Sequence, residues 1–141
     1  MSKKNERVAR LITSCEGKGL DAHYLAFFEC FNQGLFFEAH EVLEHLWLAG
    51  RGGANHAFYK GLIQLAGAFV HLQRNRPGPA AALFRLAEGN LRKYPESYEH
   101  LEMSKPLGLI ALWLAQLERR QPLENLWPSK SPPELRLSWP V

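Results

Sequence analysis

Apolar side chains recur along most of this chain at the spacing of an amphipathic α-helix. The stretch 34–48, GLFFEAHEVLEHLWL, shows this best, because Phe36, Ala39, Val42 and Leu43 would share one side of a helix. The same spacing predicts further helices over residues 3–14, 21–32, 55–73, 78–93 and 106–119, with a short helix over 96–103. No segment sustains the alternation of a strand. The pattern therefore predicts an all-α protein, a compact bundle of about five or six helices built from antiparallel helical hairpins.

Capping and breaking residues mark the ends of these helices. Asp21 is a favourable N-cap for the second helix, and Gly34 suits the left-handed position after its last turn. The glycine-rich loop AGRGGANH allows a tight reversal after residue 48. Pro77 or Pro79 suits the first turn of the helix that follows RNRPGP.

Helical spacing also predicts which residues of the last two long helices are buried. For the helix over 78–93 they are Ala81, Ala82, Leu83, Leu86 and Leu91. For the helix over 106–119 they are Leu109, Ile110, Leu112, Trp113 and Leu117.

The chain changes character from Gln121 onward. Five prolines disfavour a regular helix there: Pro122, Pro128, Pro132, Pro133 and Pro140. The segment also holds apolar residues that a solvated linker would lack: Leu126, Trp127, Leu135, Leu137 and Trp139. We expect one helical domain over 1–120 and an extended Pro/Trp-rich C-terminal arm over 121–141. The arm would lie on this bundle, on a second subunit to give a homodimer, or in a groove of a protein or peptide partner.

Composition narrows the class of protein. The 141 residues are 46% hydrophobic and 22% charged, which is typical of a single globular domain. Two cysteines are too few for a disulfide framework and indicate a reducing compartment, so we expect a cytoplasmic protein. We find neither a signal peptide nor an apolar run that could span a membrane, and no membrane partner is expected. The net charge of +3 comes without a basic run, so nucleic acid is not favoured as a partner.

A group of polar side chains interrupts the apolar stretch 34–48. His40, Glu41 and Glu44 would lie opposite the apolar stripe, with Phe37 and Leu48 between them on the same face. Large apolar groups beside charged ones indicate that another element covers this face. A covered carboxylate requires a partner, because burying it unpaired is costly.

The helix over 55–73 offers the matching polar stripe. Lys60, Gln64 and His71 lie within about 40° of one another on a helical projection. The connecting loop is short, so the two helices should be antiparallel neighbours. If Leu48 lies opposite His56, then Glu44 is within salt-bridge reach of Lys60, and His40 or Glu41 contacts Gln64. His71 then falls near the turn at residues 32–33.

Two resemblances accompany this pattern. LAFFECFNQGLFFEAHEVLEHLW resembles a tetratricopeptide-type helical hairpin, and GAFVHLQRNRPGPAAALFRLA is a looser echo of it. FNQGLFFEAHEVLEHLW followed by FYKGLIQLAGAFVHLQRN resembles the paired motifs of the domain-of-unknown-function family 309, over roughly residues 24–94. The second resemblance implies an all-helical fold of unsettled activity. It also implies a polar cluster of His40, Glu41, Glu44, Lys60, Gln64 and His71.

Several interpretations of this cluster remain open. It either fixes the register of two helices or binds a small polar ligand or partner, in which case Phe37, Gln64 and His71 are the expected ligand contacts. The alternative is an acid/base or metal-dependent enzyme, hydrolase-like, with His40, Glu41, Glu44 and Lys60 as candidate catalytic residues. No cofactor is predicted. A divalent metal held by His40 and Glu44 is the less favoured alternative, since the motif is not HExxH.

Overall fold

The computed structural model describes residues 3–120, 122–123, 126–127 and 132–139. The helices in this part of the chain are α1 Lys3–Ser14, α2 Ala22–Asn32, α3 Phe36–Ala49, α4 His56–Gln73, α5 Pro77–Leu91 and α6 Ser104–Glu118. A two-stranded hairpin, β1 Ser97–Tyr98 and β2 Leu101–Glu102, separates α5 from α6. The predicted all-α bundle is thus confirmed. None of the described helices is long and apolar enough to cross a membrane.

The local signals at the helix ends act as predicted. The Asp21 carboxylate accepts hydrogen bonds from the backbone N–H groups of His23, at 2.8 Å, and Tyr24, at 3.3 Å, and so caps α2. Gly34 has φ +77°, the left-handed conformation that reverses the chain between α2 and α3. Pro77 is the first residue of α5, where its missing N–H costs nothing.

The prediction of a short helix over 96–103 is wrong, because these residues form the hairpin. Ser97 pairs with Glu102 and Tyr98 with Leu101. The two residues between the strands, Glu99 and His100, have φ +49° and +61°. Positive φ at both turn residues matches the twist of a two-residue hairpin loop and is incompatible with a right-handed helix.

Helix α4 is the centre of the core, and Phe69 is its hub. The Phe69 ring lies 5.6 Å from that of Phe31 in α2, 5.0 Å from Phe36 in α3 and 5.2 Å from Phe84 in α5. It also lies 5.9 Å from the rings of Trp113 in α6 and Trp127 beyond it. Phe69 itself is fully buried. One residue of α4 therefore contacts aromatic rings from four other helices and from the start of the arm.

The predicted buried faces of α5 and α6 need correction. In α5 the buried residues are Ala80, Phe84, Ala87 and Leu91, whereas Leu86 is 55% exposed. In α6 they are Pro106, Ile110 and Trp113, whereas Leu112 is 54% exposed. Both helices carry apolar residues on more than one side, and the aromatic residue facing Phe69 decides which side is buried.

Helices α4 and α5 approach each other closely at Gly61. A Cβ added at Gly61 would lie 2.9 Å from Leu91 Cγ and 3.2 Å from Asn90 Cβ. A side chain at this position would therefore push α5 away from α4.

The described part of the arm lies on the bundle of its own chain. The Asn32 side-chain amide donates to the Leu135 carbonyl at 2.9 Å, and its oxygen accepts from the Leu135 N–H at 2.7 Å. Leu135 is 1% exposed, and the Trp139 indole N–H donates to the Lys18 carbonyl at 3.0 Å. Gln121, Pro128 and Pro140 lie outside the described residues. The homodimer through this arm stays a prediction.

We predict that Gly61→Ala lowers the free energy of unfolding by about 1–3 kcal/mol, because the methyl group overpacks the α4–α5 contact. Gly108→Ala in α6 is the matched control, since a Cβ there meets nothing within 4 Å. The control should gain about 0.5–1 kcal/mol from helix propensity. Urea denaturation measures both variants. Equal changes in the two would contradict the close approach at Gly61.

Candidate functional site

Helices α3 and α4 run antiparallel, as their loop length predicts. At one end of the two helices, the Trp47 and His56 rings lie 5.0 Å apart. At the other end, the Gln73 side-chain amide donates to the Gly34 carbonyl at 3.1 Å. The last turn of α4, which carries His71, therefore lies beside the α2–α3 turn, as the sequence indicated.

The predicted ion pair between Glu44 and Lys60 is wrong. No ion pair between these two residues occurs among the described residues, and the Lys60 ammonium lies over the Trp47 ring, 5.2 Å from its centroid. Lys60 thus meets α3 at Trp47 rather than at Glu44, close to one helical turn away. A cation over an indole and an exposed ion pair are worth about the same, roughly 0.5–1 kcal/mol each, so charge matching does not set the register.

Glu44 instead pairs within its own helix. Its Oε2 lies 3.2 Å from His40 Nε2, and both side chains are partly exposed. This contact joins two positions one turn apart on α3. The other ring nitrogen, His40 Nδ1, is buried and has no hydrogen-bond partner among the described residues.

A surface pocket of about 320 Å³ lies between α3, α4 and α5. Its polar lining residues are His40, Gln64, His71 and Arg74. Its apolar lining includes Phe37, Ile63, Val70 and Leu83. The structure thus brings together four of the residues that the sequence grouped, Phe37, His40, Gln64 and His71, and adds Arg74.

Glu41 and Lys60 do not line this pocket. Glu41 lies on the other side of α3, where it lines a second pocket of about 250 Å³ with His23, Glu38 and His45. The rings of His23 and His45 stack there at 4.4 Å. Sequence reasoning missed this cluster because His23 comes from α2, and no spacing within α3 indicates which of its residues α2 will meet.

The Gln64 amide has a defined orientation. The Lys93 ammonium can only donate, so Asn90 Oδ1 must accept from it, at 3.3 Å. Asn90 Nδ2 then donates to Gln64 Oε1, at 2.7 Å. With its oxygen oriented toward Asn90, the Gln64 NH₂ group makes no hydrogen bond with the described residues and remains available as a donor. Gln64 is thus bonded to α5. Of its two predicted neighbours on α3, His40 lines the same pocket without a hydrogen bond to Gln64, and Glu41 does not line it.

His71 is held in its neutral form. Burial lowers the pKa of the imidazole below its ordinary value of 6.5, and the nearby charges of Arg76 and Arg74 lower it further. At neutral pH the ring therefore carries no charge and offers one donor and one acceptor.

Arg74 was missed as a site residue, because it follows the last turn of α4 and belongs to no polar stripe. Its guanidinium lies over the Phe37 ring, 5.7 Å from the centroid. Phe37 is 44% exposed and forms the other side of the pocket mouth. Position 74 lies three residues after His71, on the same side of the chain, and that spacing is the one signal that could have indicated it.

Residues for a metal site are not brought together. Within the part of the chain that the structure describes, no group of three or more His, Cys, Asp or Glu side chains could hold a metal ion. His40 and Glu44, the candidate ligands, pair with each other instead.

We predict that the pKa of His71, measured by NMR titration, lies below 6.5 and rises in Arg74→Gln, because removing a nearby positive charge favours protonation. Arg92→Gln is the control, since Arg92 pairs with Glu88 and does not act on His71. An unchanged pKa in Arg74→Gln would contradict the placement of Arg74 beside the imidazole.

The sequence model of a family described as Domain of unknown function (DUF309) matches residues 24–83. No curated protein and no solved structure matches the chain. The matched segment runs from α2 into α5 and contains every residue that lines the pocket between α3, α4 and α5. The resemblance predicted from the two motifs is thus confirmed for residues 24–83, which match the domain-of-unknown-function family 309.

Proposed function

We propose that this protein binds a small molecule in the pocket between α3, α4 and α5. The observation that carries the proposal is the mixed lining of one concave site. Phe37, Ile63, Val70 and Leu83 supply apolar surface, and four polar side chains converge on the same space. Apolar walls with a few placed polar groups are the usual composition of ligand sites, and about 320 Å³ is at the lower end of their size range.

Unsatisfied polar atoms along the α3–α4 seam support this proposal. Among the described residues, the buried side-chain nitrogens without a hydrogen-bond partner are His40 Nδ1, Trp47 Nε1, His56 Nδ1 and His71 Nδ1. Of these residues, His40 and His71 line the pocket, whereas Trp47 and His56 contact each other at the other end of the two helices. Leaving a buried polar atom unpaired costs about 1–3 kcal/mol, so a ligand that pairs with the two nitrogens at the pocket would remove this cost.

The purely structural interpretation is less well supported. It required Glu44 and Lys60 to fix the register as an ion pair, and that pair is not formed. Gln64 does bond to Asn90 across α4 and α5, so one member of the cluster has a structural contact. His40, His71 and Arg74 make no comparable bond to another helix in the described part of the chain.

A second candidate, acid/base catalysis, is favoured by the His40–Glu44 contact. A carboxylate close to an imidazole is a pair of side chains that a general base and its orienting group can use. Glu41 and Lys60 have no part in it, because neither lines the pocket. Binding comes first in both candidates, so the binding test decides between a functional pocket and none.

The cytoplasmic location stays a proposal. Cys15 and Cys30 are free and buried, which supports a reducing compartment. Burial is the main cause that raises the pKa of Cys30, to about 12, so this thiol is protected from oxidation.

We predict that a fragment library, screened by protein-observed NMR, yields compounds that shift the amides of residues lining this pocket. In Gly67→Ala the added Cβ would lie 3.1 Å from Leu83 Cδ1 and narrow the pocket, so binding should weaken at least about threefold. Gly89→Ala in α5, where a Cβ meets nothing within 4 Å, is the control. A library without any compound that shifts these amides would reject the proposal, as would affinities that are equal in the two variants.

A further inference from the structure

We infer that the pocket between α3, α4 and α5 selects an organic anion, a molecule with an apolar body and a carboxylate head group. The inference rests on the proposed function and names the class of ligand for the same site. Three observations carry it: the hydrogen-bond donors of the lining, its charge, and its apolar residues.

The polar side chains of the lining all offer hydrogen-bond donors: Arg74 has only donors, and His40, Gln64 and His71 each have at least one N–H group. Gln64 Oε1 accepts from Asn90, and the Gln64 NH₂ group makes no hydrogen bond with the described residues. The Arg74 guanidinium has only donors, and its stacking on Phe37 restricts where they point. A carboxylate head group, which only accepts hydrogen bonds, would accept from the Arg74 guanidinium.

The charge of the lining has one sign. Arg74 is the one charged residue among the described residues that line the pocket, and none of them is Asp or Glu. The Glu44 carboxylate lies 3.2 Å from the lining residue His40, one turn further along α3, but Glu44 itself does not line the pocket. His71 stays neutral at this site because burial and the two arginines lower its pKa. An anion would therefore meet no repulsion from a lining carboxylate.

A single lining cation fits a monoanion better than a dianion. A phosphate group carries more negative charge than Arg74 alone can balance. Ile63, Val70 and Leu83 also line the pocket and offer apolar surface that would cover a hydrocarbon or aromatic body. This lining matches a small monocarboxylate better than a sugar or a nucleotide.

A matched pair of probes tests the inference, benzoate and benzamide, which share shape but differ in charge. Each is titrated at neutral pH and low ionic strength into the full chain, and the shifts of the pocket amides are followed by NMR. Benzoate should bind about threefold to tenfold more tightly than benzamide, the range set by one solvent-screened charged hydrogen bond. The ratio should fall to about one in Arg74→Gln. It should persist in Arg92→Gln, which removes the same charge from a residue that neither lines the pocket nor acts on His71.

The outcomes separate this inference from the function on which it rests. If both probes shift the pocket amides with equal affinity, the pocket binds ligands but does not select anions, and the inference fails alone. If the preference for benzoate survives unchanged in Arg74→Gln, the assignment of the anion to Arg74 is wrong. If neither probe shifts these amides up to its solubility limit, while neutral fragments do, the ligand is of another class. If no compound shifts them, the proposed function fails and the inference with it.

Discussion

The packing of aromatic rings around Phe69 is the interaction on which the rest of this structure depends. Its ring receives Phe31, Phe36, Phe84 and Trp113 from four helices, so α4 is enclosed along the side that carries Phe69. Burial of such rings contributes both area and specific edge-to-face contacts, which fix the angles at which the helices meet. Once α4 is held this way, the orientations of α3 and α5 around it follow.

The pocket is a consequence of the same arrangement. On the side of α4 away from the Phe69 side chain, Ile63, Gln64, Gly67 and His71 line the pocket between α3 and α5. The small residues on this side serve two purposes: Gly61 lets α5 approach, and Gly67 leaves space beside Leu83. Core and pocket are thus opposite sides of one helix, and a change on one side need not disturb the other.

Sequence patterns predicted the helices, the residues that cap them and several of the side chains that line the pocket. Phe37, His40, Gln64 and His71 could be grouped because helical periodicity places them on facing stripes, and periodicity survives a shift in register. The contacts between them could not be predicted. The Lys60 ammonium lies over the Trp47 ring, and Gln64 accepts a hydrogen bond from Asn90. Polar contacts of similar energy compete at these positions, and the packing of the core determines which of them form. Arg74 and the exposed Leu86 were misjudged for the same reason, since a single helix does not reveal which neighbour will cover it.

Phe69 of α4 packs the core, and we propose that His71, two positions further along the same helix, contacts a ligand. Urea denaturation of Phe69→Leu and His71→Leu tests this division directly. Phe69→Leu should lower the free energy of unfolding by about 1–3 kcal/mol, because it empties part of the aromatic core. His71→Leu should leave it unchanged within about 0.5 kcal/mol or raise it, since it removes a buried nitrogen without a partner. A loss in His71→Leu as large as that in Phe69→Leu would contradict the account and make His71 a structural residue.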